Sequence, residues 1–269
     1  MKNHRDVPLE KIHKELLLLL LSLDGICKEN SIKYYITAGT LLGAVREGGF
    51  IAWDDDCDVV MPRSDFRRFV KIMRKARSEI YYFQDRKNER KYPFAFVKIR
   101  SRQVGARERG KVWEGLGNGC YVDVFPLDRC PKNPRRARRF FKLTELLTSV
   151  ILSKNGGECG YTKRSVRLIF SLLSLFPLAV LHFLRDAVRI YYRATSSGER
   201  LATVYGSYGY PRETYRREWF SRAVTLSFEG HKFPAPIGYR ELLTNMYGDY
   251  MTPPGKENQR THLQQEGSP

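Results

Sequence analysis

Four aspartates, Asp54, Asp55, Asp56 and Asp58, fall within five residues of a chain whose formal charge is +18. Carboxylates this close repel one another, so a fold that keeps them must bring a counter-charge to the same place. The segment that follows, Cys57-Asp58-Val59-Val60-Met61, is β-branched and apolar and stops at Pro62, which reads as a strand. Side chains alternate along a strand, so Asp56 and Asp58 share one face, roughly 7 Å apart along it, while Cys57 and Val59 take the other. Asp54 joins them if the strand begins that early. Paired carboxylates of this kind can hold one or two hard cations such as Mg²⁺ or Mn²⁺. The best candidate for a third acid is Asp123 in "YVDVF", a charge in an otherwise apolar strand, costly there unless paired or metal-bound.

The surrounding pattern interleaves helices and strands. Ile12, Leu16, Leu19, Leu20 and Leu23 recur at helical spacing, and Asn30 and Ser31 mark the end of that first helix. Ile32 to Gly39 reads as a strand feeding a glycine turn. A short helix follows, with Thr40 as the expected N-cap and Gly48-Gly49 as its end. The segment from Arg63 to Ile80 reads as an amphipathic helix capped by Ser64, and Phe94–Arg100 and Cys120–Phe125 read as strands. The expected class is α/β.

At 269 residues the chain is expected to be a single domain with an insertion. Residues 9–130 form the core, 131–200 a helical, basic and apolar insert, 201–254 the returning part of the core, and 255–269 a disordered tail. Lys and Arg number 47 against 29 acids, which points to an anionic partner: nucleic acid, a phosphorylated substrate or an acidic membrane surface. Five cysteines without CxxC pairs or zinc-ligand spacing suit reduced, structural thiols of a cytoplasmic protein. The insert contains Leu168–Leu184, a stretch with no charged residue, broken by Pro177 and His182 and flanked by Arg164 and Arg167 before it and Arg185 and Arg189 after it. Its length is at the lower limit for a span, about 17 residues. Basic residues at both ends suit a kinked helix or hairpin lying in the interface of an anionic membrane better than a crossing helix. A buried core helix of the insert is the alternative.

Gly39 and Thr40, where a helix starts just before the acids, offer backbone N–H groups suited to a phosphate. Together with the acids they point to phosphoryl-type transfer. The stretch "GTLLGAVREGGFIAWDDDCDVVMPRSDF", the later "NGCYVDVFPLD" and the carboxy-terminal "MYGDYMTPP" closely resemble the LicD family, whose fold belongs to the nucleotidyltransferase superfamily and whose relatives include the fukutin-type transferases. The resemblance covers about Leu9 to Asp128 and Glu218 to His262.

It implies a nucleotidyltransferase-like mixed sheet flanked by helices. It implies an enzyme that moves a phospho-alcohol, typically phosphocholine, from a CDP-linked donor to a sugar hydroxyl and releases CMP. By position, Asp56 and Asp58 would be metal ligands, Asp54 would lie in the outer part of the site, and Asp123 would be the third carboxylate, binding metal or accepting the acceptor's proton. Arg46, Lys98 and Arg100 are then natural phosphate partners, and Tyr247 and Asp249 match a family motif. A quaternary ammonium would need aromatic faces, for which Trp53, Trp113, Tyr121, Trp219 and Tyr247 are available. Ala38, where glycine is expected, and Glu47, Ser101 and Val104 depart from the family pattern. The basic, apolar insert suggests a lipid-linked glycan acceptor and a peripheral position on the inner face of the cytoplasmic membrane. Two other readings are nucleotidyl transfer from a nucleoside triphosphate and non-enzymatic nucleic-acid binding. Against the latter, the cations cluster beside the longest apolar run instead of alternating with aromatics.

Overall fold

The computed structural model describes residues 7–104, 107–108, 119–156, 164–255, 257, 259, 261 and 263–264. In chain order it places α1 (Leu9–Glu29), β1 (Tyr35–Ile36), α2 (Ala38–Arg46), β2 (Cys57–Pro62), α3 (Arg63–Met73), β3 (Tyr81–Gln84), β4 (Val97–Ser101), β5 (Arg107–Glu108) and β6 (Tyr121–Cys130). Next come α4 (Pro134–Lys154), α5 (Arg164–Ser174), α6 (Leu178–Ala194), β7 (Arg200–Ala202), β8 (Thr214–Arg216), β9 (Ala223–Phe228), β10 (His231–Pro236), α7 (Tyr239–Tyr247) and β11 (Leu263–Gln264).

The main sheet is mixed, in the order β1-β2-β6-β4-β3, with β7 on the far part of β6 and β8 on β7. Only β2 and β6 run parallel; the other pairs are antiparallel. Helix α1 covers one face through Ile12, Leu16, Leu19, Leu20 and Leu23, all buried as their spacing predicts. Pro126 is tolerated in the middle of β6 because its flank is free there. On that side β4 pairs only as far as Val124, and β7 begins at Asp128.

Several boundaries differ from the sequence expectation. The first strand shrinks to Tyr35–Ile36, and α2 starts at Ala38 with Thr37 as the N-cap, so Thr40 is not the cap. Ala38 adopts φ +45, a conformation that favours glycine, the residue expected there. Helix α3 is preceded by Pro62 without a side-chain cap, and the Ser64 hydroxyl bonds Asp65 instead. It ends at Met73, where the apolar stripe gives way to the "RKAR" cations, and Tyr81–Gln84 is a strand. Strand β4 begins at Val97, because Pro93 offers no N–H and Phe94 stacks on Phe96 just before it. Leu263–Gln264 in the tail pairs with β5, so that part is structured.

Helices α4 and α6 pack on one another through Leu147, Val150, Ile151 and Leu181, and α5 joins them through the partly buried Phe170 and Leu173. No single helix among the described residues is long and apolar enough to cross a membrane, and α5 and α6 are bent by 119° at the break before Leu178. Pro177 is the N-cap residue of α6. The buried-core alternative for this stretch is not what is found, since Leu168, Ile169, Leu172 and Phe183 are exposed. Nor do Arg185 and Arg189 form a solvated flank: both are buried. Cys27, Cys57, Cys120 and Cys130 are buried free thiols, and Cys159 lies outside the described residues.

Candidate active site

Strand register assembles the site. Asp58 of β2 lies opposite Asp123 of β6, and Asp123 lies opposite Lys98 of β4. Asp56, two residues before Asp58, adds a third carboxylate on the same side. One oxygen from each of Asp56, Asp58 and Asp123 lies within 4.8 Å of the others. Asp56 and Asp123 are buried and Asp58 is partly so. The Lys98 ammonium, also buried, is 2.7 Å from Asp123 Oδ1 and 3.4 Å from the centre of the Tyr121 ring. Lys98, expected from the sequence as a phosphate partner, is thus buried as the counter-ion of Asp123.

Local structure holds these acids in place. The Asp58 N–H donates to Thr40 Oγ1 at 2.8 Å, and the Thr37 N–H donates to Asp58 O at 3.0 Å, so the first turn of α2 is tied to the start of β2. Thr40 thus anchors the backbone of an acid. Gly39 leaves room for a different acid: a Cβ there would sit 2.5 Å from Asp54 Oδ2 and would displace that carboxylate. Asp54 itself is outside the three-carboxylate group. The strand begins only at Cys57, and Asp54 sits in the preceding turn, its carbonyl 2.7 Å from His13 Nε2. His13 stacks on Phe50, a support that no sequence motif indicates.

The acids are felt by their neighbours. Burial first, then the charges of Asp56, Asp54 and Asp58, push the Cys57 thiol well above its ordinary value. Tyr247, at the end of α7, has its phenol raised by burial, by Tyr208 and by Asp58 and Asp54. Tyr208, 5.2 Å from Tyr247 ring to ring, is raised by removal from water and further by Asp58, Asp54 and Asp56. Tyr247 is thus beside the acids, and Tyr208 is a neighbour the sequence reading missed, because it lies in a loop without a motif. Asp249 is exposed and accepts from Thr252 Oγ1 at 2.7 Å.

Arg46 donates from Nε to Glu47 and from Nη1 to the Tyr250 carbonyl, with its guanidinium 5.9 Å from the Trp53 ring centre. Its Nη2 is buried without a hydrogen-bond partner among the described residues, a donor suited to an incoming anion. Arg100 is buried and donates to Gln84 Oε1 and the Gly119 carbonyl. Trp113 and His262 lie outside the described residues. Three carboxylate oxygens in one small space form a hard, oxygen-only donor set, which fits Mg²⁺ or Mn²⁺.

Residues 31–133 match the family model described as LicD/FKTN/FKRP, nucleotidyltransferase domain. The chain carries a LicD-family domain. All three clustered acids lie within the match. The lipopolysaccharide cholinephosphotransferase LicD of Haemophilus influenzae is 28% identical over 261 residues, covering 95% of this chain and 97% of that protein. An uncharacterized protein of Rickettsia typhi is 41% identical over 64 residues, 24% of this chain and 21% of its own length. The helices α5 and α6 fall outside the LicD-family domain match.

Proposed function

We propose that this chain transfers phosphocholine, or a closely related phospho-alcohol, from a CDP-linked donor to a hydroxyl of a cell-surface glycan or its lipid-linked precursor. The observation that carries the reading is the grouping of Asp56, Asp58 and Asp123 within 4.8 Å in a chain of charge +18. The similarity to a lipopolysaccharide cholinephosphotransferase along nearly the whole chain supports the substrate class.

Asp56, Asp58 and Asp123 are the residues that would hold Mg²⁺ or Mn²⁺. Such an ion supplies neutralisation of the donor diphosphate and polarisation of the phosphorus under attack. Lys98 fixes the Asp123 carboxylate, and Thr40 fixes the backbone at Asp58. Arg46 offers its unpartnered Nη2 to a phosphate oxygen. In the transfer, the acceptor oxygen bonds to the phosphorus that carries the alcohol and gives up its proton to water. The bond from that phosphorus to the bridging oxygen breaks, and the oxygen leaves with CMP.

Incubation of the protein with CDP-choline, Mn²⁺ and a lipopolysaccharide acceptor, followed by chromatography of the nucleotides, tests this. The expected product is CMP, in step with phosphocholine on the glycan. In a parallel incubation with CTP added, release of pyrophosphate from CTP with CDP-choline left intact would instead identify nucleotidyl transfer and overturn the proposal.

A further inference from the structure

Helices α5 and α6 each expose a run of apolar side chains. On α5 and the turn after it, Leu168, Leu172 and Leu175 recur at i, i+4 and i+7, with Ile169 and Phe176 beside them; all five are exposed, Leu168 by 64% and Leu175 by 79%. On α6, Val180, Phe183 and Ile190 form a second exposed stripe, Phe183 by 69%. The other side of α6 is already used: Leu181, Arg185 and Tyr192 are buried. A helix that is apolar toward the protein and apolar toward the outside needs a second cover.

We propose that the α5–α6 hairpin docks on an anionic lipid bilayer, laying Leu168, Leu172, Leu175, Phe176 and Phe183 into the interface between headgroups and acyl chains. Geometry decides against a crossing. Helix α6 has 17 residues, about 26 Å at 1.5 Å per residue, short of a hydrocarbon core of about 30 Å. It is also tethered: fully buried Arg185 donates to the Pro93 carbonyl and lies 3.4 Å from Thr148 Oγ1.

Charge selects the occupant. At the turn between the helices, exposed Lys154 donates to the Ser174 carbonyl at 2.6 Å. The neighbouring Asn155 donates to the Lys91 carbonyl, which brings the exposed Lys87, Arg90 and Lys91 to the same edge. A bilayer bearing anionic headgroups complements this edge, whereas a second copy of a chain with charge +18 is repelled. The docking surface stands independently of the proposed activity; only its use, bringing the catalytic acids to a lipid-borne acceptor, rests on that reading.

The test is flotation of the full chain with vesicles of phosphatidylcholine alone and of phosphatidylcholine with phosphatidylglycerol at about three to one. Wild type is expected to float with the anionic vesicles, severalfold more than with the neutral ones, and to lose part of that binding at high salt. Replacing Leu175→Ser, Phe176→Ser and Phe183→Ser together should lower the bound fraction at least about tenfold. Because all three side chains are exposed, thermal unfolding and turnover on a delipidated glycan acceptor should stay at wild-type levels. Wild type that stays at the bottom with anionic vesicles overturns the proposal, as does a triple variant that floats like wild type. A wild-type dimer that the triple variant splits, with neither floating, assigns the face to a second copy instead. If no turnover is seen at all, flotation still decides the docking surface, so the two readings fail separately.

Discussion

Replacing Asp58 with asparagine should stabilise the metal-free protein while abolishing its activity. Asp58 shares a 4.8 Å space with Asp56 and Asp123. At that separation and an effective dielectric of about 20, two like charges repel by about 3 kcal/mol. Lys98, 2.7 Å from Asp123, cancels most of that acid's share and leaves Asp56 as the main source of repulsion. Asp58 is only partly buried, so solvent screening trims the relief to about 1–2 kcal/mol. Asparagine has the same shape, and the bond from the Asp58 N–H to Thr40 belongs to the backbone, so neither is lost. In EDTA the variant should therefore melt about 2–6 °C above wild type. With Mn²⁺ the order reverses: wild type gains stability, the variant gains much less, and release of CMP falls by at least about 100-fold. Differential scanning fluorimetry with and without chelator, run beside the nucleotide assay, reads all three quantities. A lower melting temperature for the variant in EDTA, or a full divalent shift in it, would refute the repulsion argument.

Two other substitutions probe the charges around the site. Lys98→Met leaves Asp123 buried without its counter-ion, at a cost of about 3–5 kcal/mol in urea unfolding, and Mn²⁺ should restore part of that loss because a cation again faces the carboxylate. Glu213 is buried and its carboxyl is pushed up from 4.5 to about 8 by burial, against hydrogen bonds from the Gly209 and Tyr208 backbone. Its neutral form is the one the fold favours, so its stabilising contribution is full below about 4.5 and is lost as pH rises toward and past 8. The difference is on the order of 5 kcal/mol. Glu213→Gln, which cannot ionise, should flatten the decline of stability between pH 5 and 9 seen in wild type by thermal unfolding.

Much of this was legible in the sequence where a period or a pair of like residues carried it. The α1 stripe was readable from Leu16, Leu19, Leu20 and Leu23, and the shared face of Asp56 and Asp58 from their spacing of two. Asp123 could be singled out because one acid among Tyr121, Val122, Val124 and Phe125 demands a partner. Which cation would meet it could not be read, because Lys98 and Arg100 have the same parity on β4 and only the register of β4 on β6 selects Lys98. Tyr208 and His13 were invisible for a related reason: they reach the acids from a loop and a helix far away in sequence, through contacts that no local pattern encodes. The end of α3 was misread because its trailing cations prolong a helix-compatible composition after the apolar face has ceased.

The same register makes the site and the core one pattern. Cys57 and Val59 of β2, Val122 and Val124 of β6, and Val97 and Ile99 of β4 are buried on the face opposite the charges. A slip of one residue in β6 would turn Val122 and Val124 toward the carboxylates and carry Asp123 into the apolar layer. A slip in β4 would do the same to Lys98. The energy that opposes either slip is hydrophobic, spread over six side chains that take no part in the chemistry, and it is large compared with the repulsion of about 3 kcal/mol between a pair of the acids. Apolar alternation can therefore hold three like charges together before any ion arrives, and the acids need not contribute to folding in order to be held in a group.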